Sequence, residues 1–502
     1  NDEPSNTTVT TPSDSDATDP STDPSNTSDT DATDDPNKID LDGYEFVLSC
    51  TGSGGLKSVL GEGDSASAEY DELQEIYAQI ESDLNCTILS DSITDKTDCT
   101  EELLAASVGG VKMADFLCVR QNTWIPLAMM GGIRPLETMI DAGLDLYNEN
   151  NFNQIYTLMS TIEDHVYALD ITGKYENTRL GHFYAFNKEL CEGAGYPAET
   201  LFQAVRDGEW DYDMMLEVAR KISKDTDGDG VNDIWGVALD CDGNEAWTNG
   251  TGHGPIVFDE AQDKWVSNVM DPQLIPALQF MYEISQNDVQ TPVAGGIGRG
   301  DRRTLFYQGK CGFAGLYGGN FGDDGLGSME APFGLLPMPK GPDAENYTMN
   351  MVDLDTFVCQ SANQDWEKSA KVMNAIGAAV TDFDAYREQI LEDCFGDEAS
   401  VEMIFDYALP NATMNIAKCS INMHEIMRKG LYQSIYQLDM TPAQAAEAYN
   451  DKIQAELDAQ KTELEAQKAD LEKLKDQQTA QMQDMQAKQQ EVQTVLNGIS
   501  DD

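Results

Sequence analysis

From Tyr44 onward, stretches that read as strand alternate with stretches that read as helix, and this alternation constrains the fold more than any other feature. YEFVLSC, beginning at Tyr44, carries the aromatic and branched residues of a strand, whereas YDELQEIYAQIESDL (Tyr70 to Leu84) spaces its apolar residues at helical intervals. CTILSD is again a strand, TEELLAASVGG a helix that ends in glycines, and ADFLCV (Ala114 to Val119) a third strand; WIPLAMMGGIRPLETMI opens the next helix. Strands that alternate with helices predict parallel βαβ units and an α/β class. In open parallel sheets, ligands bind at the carboxyl ends of the strands. Two loops are thereby nominated, TGSGGLK after the first strand and RQNTW (Arg120 to Trp124) after the third.

The pattern continues through strand-like HVYALD (His165 to Asp170) and HFYAFNKEL (His182 to Leu190). Further on, DRRTLFYQGKCGFAGLYGGNF reads as helix, a turn at Gly309, strand and glycine loop; FGLLPMPKGP is extended and VDLDTFVC is a strand. A chain of 502 residues is long enough for two or three domains. Its net charge of −59 argues against nucleic acid and anionic membrane surfaces, whose charge it would repel. No apolar run approaches the roughly 20 residues a spanning helix needs. The ten cysteines form no C-x-x-C pair and the four histidines form no H-E-x-x-H, so zinc chemistry has no visible support. Cys50, Cys86, Cys118 and Cys359 lie in or beside apolar runs and read as buried thiols; disulfide connectivity is not legible in sequence.

Lys224 to Gly236, KDTDGDGVNDIWG, has the first half of a calcium loop. Asp225, Asp227 and Asp229 alternate, Gly230 allows the sharp turn, Val231 offers a carbonyl and Asp233 takes the ninth position. The twelfth position is Gly236 rather than a bidentate Glu, and IWGVALD after it reads as a strand. The expectation is a helix-loop-strand calcium brace, not a helix-loop-helix sensor; the alternative is a solvated acidic turn.

Both ends of the chain differ from its middle. Residues 1–42 are Ser, Thr, Asp, Asn and Pro with almost no large aliphatics, a composition that cannot offset the entropy of ordering, so a disordered tether is expected. The chain is further expected to derive from a precursor with a signal peptide and a lipid-modified cysteine just before Asn1. From about Ala443 to Leu496 the chain is rich in Ala, Glu, Gln, Lys and Leu and lacks Pro, which predicts one long helix. Leu457, Leu464, Leu471, Met485 and Val492 share a seven-residue register that Gln478 interrupts, and the companion position is mostly Lys or Gln. That is half a coiled-coil seam. The helix is expected to pack its first part on the body and to project the rest, leaving a monomer.

Taken in order, several pieces resemble the extracellular solute-binding proteins of bacterial ABC importers, in the sugar-binding family that includes the maltose-binding protein. These are GGIRPLE, HVYALD, FYAFNKELCEGAGYP, GEWDYDMMLEVARKISKDTDGDGVNDIWG, LFYQGKCGFAGLYGG and FGLLPMPKGP. Phe186 stands where the family has a tyrosine. The resemblance implies a type II periplasmic-binding-protein-like fold of two α/β lobes, with a ligand in the cleft and a membrane permease as partner of the closed form. It implies a first lobe of residues 43–168 with 293–332, a second of 169–292 with 333–459, and a helical extension over 460–502.

A sugar presents flat C–H faces and polar edges, so its site needs aromatic platforms and planar polar groups. Arg120, Asn122 and Trp124 follow the third strand; Asn244, Trp247 and Asn249 occupy the glycine-rich loop NEAWTNGTGHG; Tyr317 and Asn320 follow the strand ending near Gly315; Asp353 and Asp355 flank a later strand. These are the candidate ligand residues, with calcium the candidate cofactor and no catalytic residue. The implied role is capture of a carbohydrate, an oligosaccharide above all, by a surface-tethered extracellular lipoprotein for a permease. A secreted carbohydrate-active enzyme and a surface adhesin or scaffold are the competing readings. Hydrolysis needs two carboxylates at a set separation, and among 90 acidic residues no pair stands out.

Overall fold

In a computed structural model, the structure describes residues 39–51, 68–94, 99–172, 180–238, 244–262, 264–287, 289–291, 299–351 and 354–500. TGSGGLK and nearly all of the tether expected over 1–42 lie outside them. The elements that frame the site are, in chain order, β1 (Tyr44–Thr51), α1 (Ala68–Leu84), β2 (Cys86–Thr94), α2 (Thr100–Val108), β3 (Phe116–Arg120), α3 (Gln121–Met129), β4 (Ala168–Leu169) and β5 (Phe183–Asn187). There follow α4 (Tyr212–Ile222), β6 (Trp235–Ala238), α5 (Asn244–Asn249), β7 (Cys311–Leu316), β8 (Phe333–Leu336), β9 (Met349–Met351) and β10 (Asp355–Val358). The last are α6 (Trp366–Val380), α7 (Phe383–Asp393), β11 (Ala412–Met414) and α8 (Pro442–Ser500).

Two main sheets organise the unit Asp40–Asp502. The first has the order β2-β1-β3-β10-β4, its first three strands parallel and β10 antiparallel to both β3 and β4. The second has the order β8-β5-β7-β6, with β5 antiparallel to β8 and β7, and β7 parallel to β6. Successive strand residues point to opposite faces, so a strand covered on both sides must be apolar throughout. In β3, Phe116 and Cys118 enter one core while Leu117 and Val119 enter another. In the second sheet, Tyr184 and Phe186 face one core, and Phe183 and Ala185 the other. Each sheet is thus the middle layer of an α/β lobe.

Local signals account for the helices. α4 is capped by Asp211, whose carboxylate accepts the N–H of Met214, and it ends on Arg220 and Lys221, which suit the negative end of the helix dipole. Tyr212, Met215, Leu216, Val218, Ala219 and Ile222 form its buried stripe. The thiols behave as expected of small apolar groups: Cys86, Cys191, Cys311, Cys359 and Cys394 are buried and unpaired. Burial pushes Cys191 and Cys359 up to about 12.

Three segments cross between the lobes. The first leaves β4 at Asp170 and re-enters at His182; the second runs from β9 to β10; the third joins α6 to α7 at Thr381 and Asp382. Backbone hydrogen bonds tie them together: His182 N–H donates to the Asn350 carbonyl at 2.9 Å, and Asp382 N–H to the Thr172 carbonyl at 3.2 Å.

The expected boundaries had exchanged two segments. Residues 293–332 were assigned to the first lobe, yet β7 lies in the second sheet, with Phe313 opposite Phe186 and Cys311 beside Trp235. Residues 333–459 were assigned to the second lobe, yet β10 and α6 belong to the first, where Phe357 and Ile376 share one core. FGLLPMPKGP supplies β8 at its start. A strand joins whichever backbone completes its ladder, and order along the chain does not specify that partner.

α8 begins in the second lobe's core with Ala445, Ala446 and Ile453 buried and Leu457 packed against them. It also comes against α2 of the first lobe. At 1.5 Å per residue, its 59 residues span about 90 Å. Met485 and Val492 are each 59% exposed, as a projecting segment requires.

Candidate functional site

The crossings fix which end of each sheet faces the junction. β3 ends at Arg120, and its antiparallel neighbour β10 starts, directly after a crossing, at Asp355. In the second sheet β5 starts just after the His182 crossing, and the end of β7 pairs with it, Leu316 opposite Phe183. β6 runs parallel to β7, so α5, which follows β6, belongs to this end as well. RQNTW is not a loop, since α3 begins at Gln121 directly after β3. The start of α3, the helix α5 and the turn after β7 therefore meet the interlobe region, as the strand-end rule predicts.

Arg120 and Asp355 face each other across the ladder, Nε to Oδ1 at 3.2 Å, with Asp355 buried. Their polar edges engage one another and offer a planar, charge-balanced pair. Tyr317 is half-buried; the Arg303 guanidinium lies 5.2 Å above its ring and the His182 ring meets it edge-on at 6.1 Å. Asn320 accepts the Tyr317 N–H at 3.1 Å and so closes the turn after β7. Asn249 donates to the Asn350 side chain at 2.6 Å. Asp353 lies outside the described residues, as does the side chain of Asn244.

Both tryptophans expected as platforms are core residues. Trp124 is fully buried with Leu127, Val119 and Ala168. Trp247 is 2% exposed, stacked on Tyr184 with ring centroids 6.3 Å apart and met by Phe280 at 5.1 Å. NEAWTN is not a loop but the short helix α5, which turns the indole inward. A ring without an exposed face cannot stack on a sugar, and the flanking polar residues conceal this in sequence.

Polar groups left without partners point where the rings do not. A buried polar atom without a hydrogen bond is costly and calls for a ligand or water. In the first lobe, Asn122 Oδ1, Thr123 Oγ1, Trp124 Nε1 and Thr356 Oγ1 have none. In the second lobe and the crossings, Trp247 Nε1, Asn350 Nδ2, Thr348 Oγ1 and Thr413 Oγ1 have none. Sequence reading missed Thr123 and Thr356, and also Thr348, Asn350 and Thr413, the last three of which sit between apolar or aromatic residues and look like strand or core positions. For Thr348 and Asn350 the signal was alternation, Thr-Met-Asn-Met over 348–351, which places both polar residues on one face.

The Asp loop lies at the opposite end of the second sheet, between α4 and the start of β6, closed by the bridge between Lys224 and Ile234. Carboxylate oxygens of Asp225, Asp227 and Asp229 come within 4.8 Å of one another, all three residues exposed. Asp225 accepts the N–H groups of Gly228 at 2.6 Å and Gly230 at 2.9 Å, and those bonds, Gly230's foremost, hold its carboxyl below the usual aspartate range. Gly228 and Gly230 take φ of +83° and +91°, which glycine adopts without strain. Asp233 is turned to Thr226, whose hydroxyl and N–H it accepts, and its pKa is lowered by them. Val231 is 54% exposed. Three converging oxygens suit a hard cation, so the triad can hold a metal ion, with Asp233 engaged elsewhere.

No protein-family model matches the sequence, and no curated protein matches it. Solved structures do. The maltose-binding periplasmic protein MalE of Listeria monocytogenes, in complex with maltose, aligns over 83% of this chain and 99% of its own, at 12% identity and a TM-score of 0.54. The cyclic alpha-maltosyl-1,6-maltose binding protein of Arthrobacter globiformis aligns over 83% and 99%, at 14% identity and 0.56. UgpB of Mycobacterium tuberculosis, in complex with glycerophosphocholine, aligns over 83% and 99%, at 16% identity and 0.54. The chain therefore has the mixed α/β, two-lobe, periplasmic-binding-protein-like fold of ABC-transporter solute-binding proteins.

Proposed function

We propose that this chain is the extracellular capture component of an ABC importer, a non-enzymatic binding protein that closes its lobes on a neutral carbohydrate, above all an oligosaccharide. The observation that carries the reading is that, in a two-lobe fold, unpartnered buried polar atoms of Asn122, Thr348, Asn350, Thr356 and Thr413 lie just after β3 and on or beside β9, β10 and β11, next to the crossings. Sugar hydroxyls are the partners such a junction lacks. Arg120, Asp355, Asn122, Asn249, Tyr317 and Asn320 frame the guest, with Asp353 and Asn244 beside them. The net charge of −59 disfavours anionic guests. The closed form hands the sugar to permease subunits. A lipid anchor upstream of Asn1 and the Ser/Thr/Asp tether hold the chain at the cell surface, where it acts as a monomer. Among the described residues, no helix is long and apolar enough to cross a membrane.

Asp225, Asp227 and Asp229, with the Val231 carbonyl, hold a structural calcium ion, and Asp233 is the reserve ligand. When bound, the ion supplies a charge that ties α4 to β6 and takes no part in recognition.

A glycan array followed by calorimetry and product chromatography tests the reading. Saturable binding of a neutral glycan with no product formed is the expected result. Product formation would make the chain an enzyme, and silence with every glycan would leave the adhesin reading.

A further inference from the structure

At the start of the second crossing, β9 pairs in parallel with β11 to form a two-stranded ribbon, with Met349 opposite Ala412, Asn350 opposite Thr413 and Met351 opposite Met414. Register partners in a ribbon project to the same side, and residues two apart share a face. One face is therefore apolar: Met349 and Met351 are buried in the second lobe's core and Met414 packs on the first. The other face carries Thr348, Asn350 and Thr413. Each of these three has a side-chain atom with no hydrogen-bond partner: Oγ1, Nδ2 and Oγ1. Asn350 is only 1% exposed, its Oδ1 accepts from Asn249 Nδ2 at 2.6 Å, and its carbonyl accepts the His182 N–H at 2.9 Å. The bond to Asn249 fixes the amide's orientation and leaves the Nδ2 donor unanswered.

Such an arrangement differs from ordinary packing. A strand buried on both sides would carry apolar residues in place of the two threonines and the asparagine, because each unanswered polar atom opposes folding. The three lie together on one face of one ribbon, and β9 of that ribbon leads directly into the second crossing. None is charged, nor is Asn249 beside them. Two hydroxyls that donate or accept and one amide that donates match the vicinal hydroxyls of a neutral sugar; the set carries neither the positive charge that favours a phosphate nor the carboxylates that favour a cation.

We propose that the polar face of this ribbon, formed by Thr348, Asn350 and Thr413 and backed by Asn249, is a sugar-hydroxyl subsite built into the hinge itself. The proposal rests on the carbohydrate-capture reading and adds to it the place where occupancy is sensed. Hydroxyls held there bond directly to a segment whose angle sets the lobe separation, so affinity and closure are coupled at these residues.

The test uses the full chain with maltotriose, cellotriose, xylotriose and mannotriose in calorimetry and small-angle scattering, starting from the trisaccharide that binds the parent most tightly. Thr413→Val removes one hydroxyl at constant shape, and Asn350→Leu removes the amide. Met414→Leu, on the apolar face, is the control. The expected result is an affinity loss of about fivefold or more for Thr413→Val and tenfold or more for Asn350→Leu, a smaller decrease in radius of gyration on binding, and no change for Met414→Leu. If Asn350→Leu does not fold, Thr413→Val and Thr348→Val decide. Binding by both threonine variants within twofold of the parent would overturn the subsite and leave the capture reading standing. No binding of any trisaccharide by the parent chain would remove the capture reading and the subsite with it.

Discussion

Gly181 shows how little room the crossings leave. A Cβ there would lie 2.4 Å from the Asn350 carbonyl oxygen and 2.8 Å from the Met349 side chain, backbone and core atoms that cannot step aside. Gly181→Ala should cost about 1–3 kcal/mol, read as a lower melting temperature, and should shift the scattering profile of the unliganded chain because the displaced strand sets the lobe angle. Trp124 carries a second prediction at this scale. Its fully buried indole makes Trp124→Ala a large-to-small core change, worth about 3–5 kcal/mol of stability. Denaturant titration should show that loss. Unchanged stability with lost glycan binding would restore the ring to the ligand.

Pairs of elements carry the next level of argument. The helix Ala198–Arg206 is fastened to the segment after Glu398–Glu402 by a two-point ion pair, Arg206 Nε to Glu402 Oε1 at 2.9 Å and the second nitrogen to Oε2 at 2.6 Å. The Arg206 bond holds the Glu402 carboxyl below its usual value. A depressed carboxylate stabilises the fold above its unfolded pKa of about 4.3 and loses that contribution as pH falls through the folded value. The melting-temperature gap between the parent and Arg206→Met should therefore be present at neutral pH and close on acidification below about pH 4. α8 makes the other element-scale prediction. Its buried residues end near Leu457, and Tyr449 lies against Gly430, where a Cβ would stand 2.3 Å from the ring. A chain ending after Ala459 should keep its melting temperature and a monomer's mass in light scattering, whereas one ending after Met440 should melt lower because Ala445, Ala446 and Ile453 leave the core.

At the scale of the whole molecule, the Asp loop and the interlobe junction separate. The Asp loop is at the far end of the second sheet from the crossings, whereas Arg120, Asp355 and the β9–β11 ribbon are at the junction. Chelation should lower the melting temperature while leaving affinity for the best trisaccharide within about twofold, because one ion braces a lobe that keeps its hinge and cleft. Calorimetry with and without chelator measures both; a larger effect on affinity than on melting would place the ion in recognition.

Periodicity and local chemistry were enough to determine much of this protein. Alternating apolar patterns predicted α/β layers, the Asp-Gly alternation foretold the loop before β6, and a Pro-free, Ala- and Glu-rich run foretold α8, all of which depend on neighbours within a few turns. What tertiary structure alone decided was pairing between distant segments. β7 and β10 joined the opposite lobes from those expected, Trp124 and Trp247 turned into cores behind polar flanks, and TMNM at 348–351 met ATM at 412–414 to make one polar face. A strand's periodicity says which residues share a side; only the partner's backbone says what that side will face.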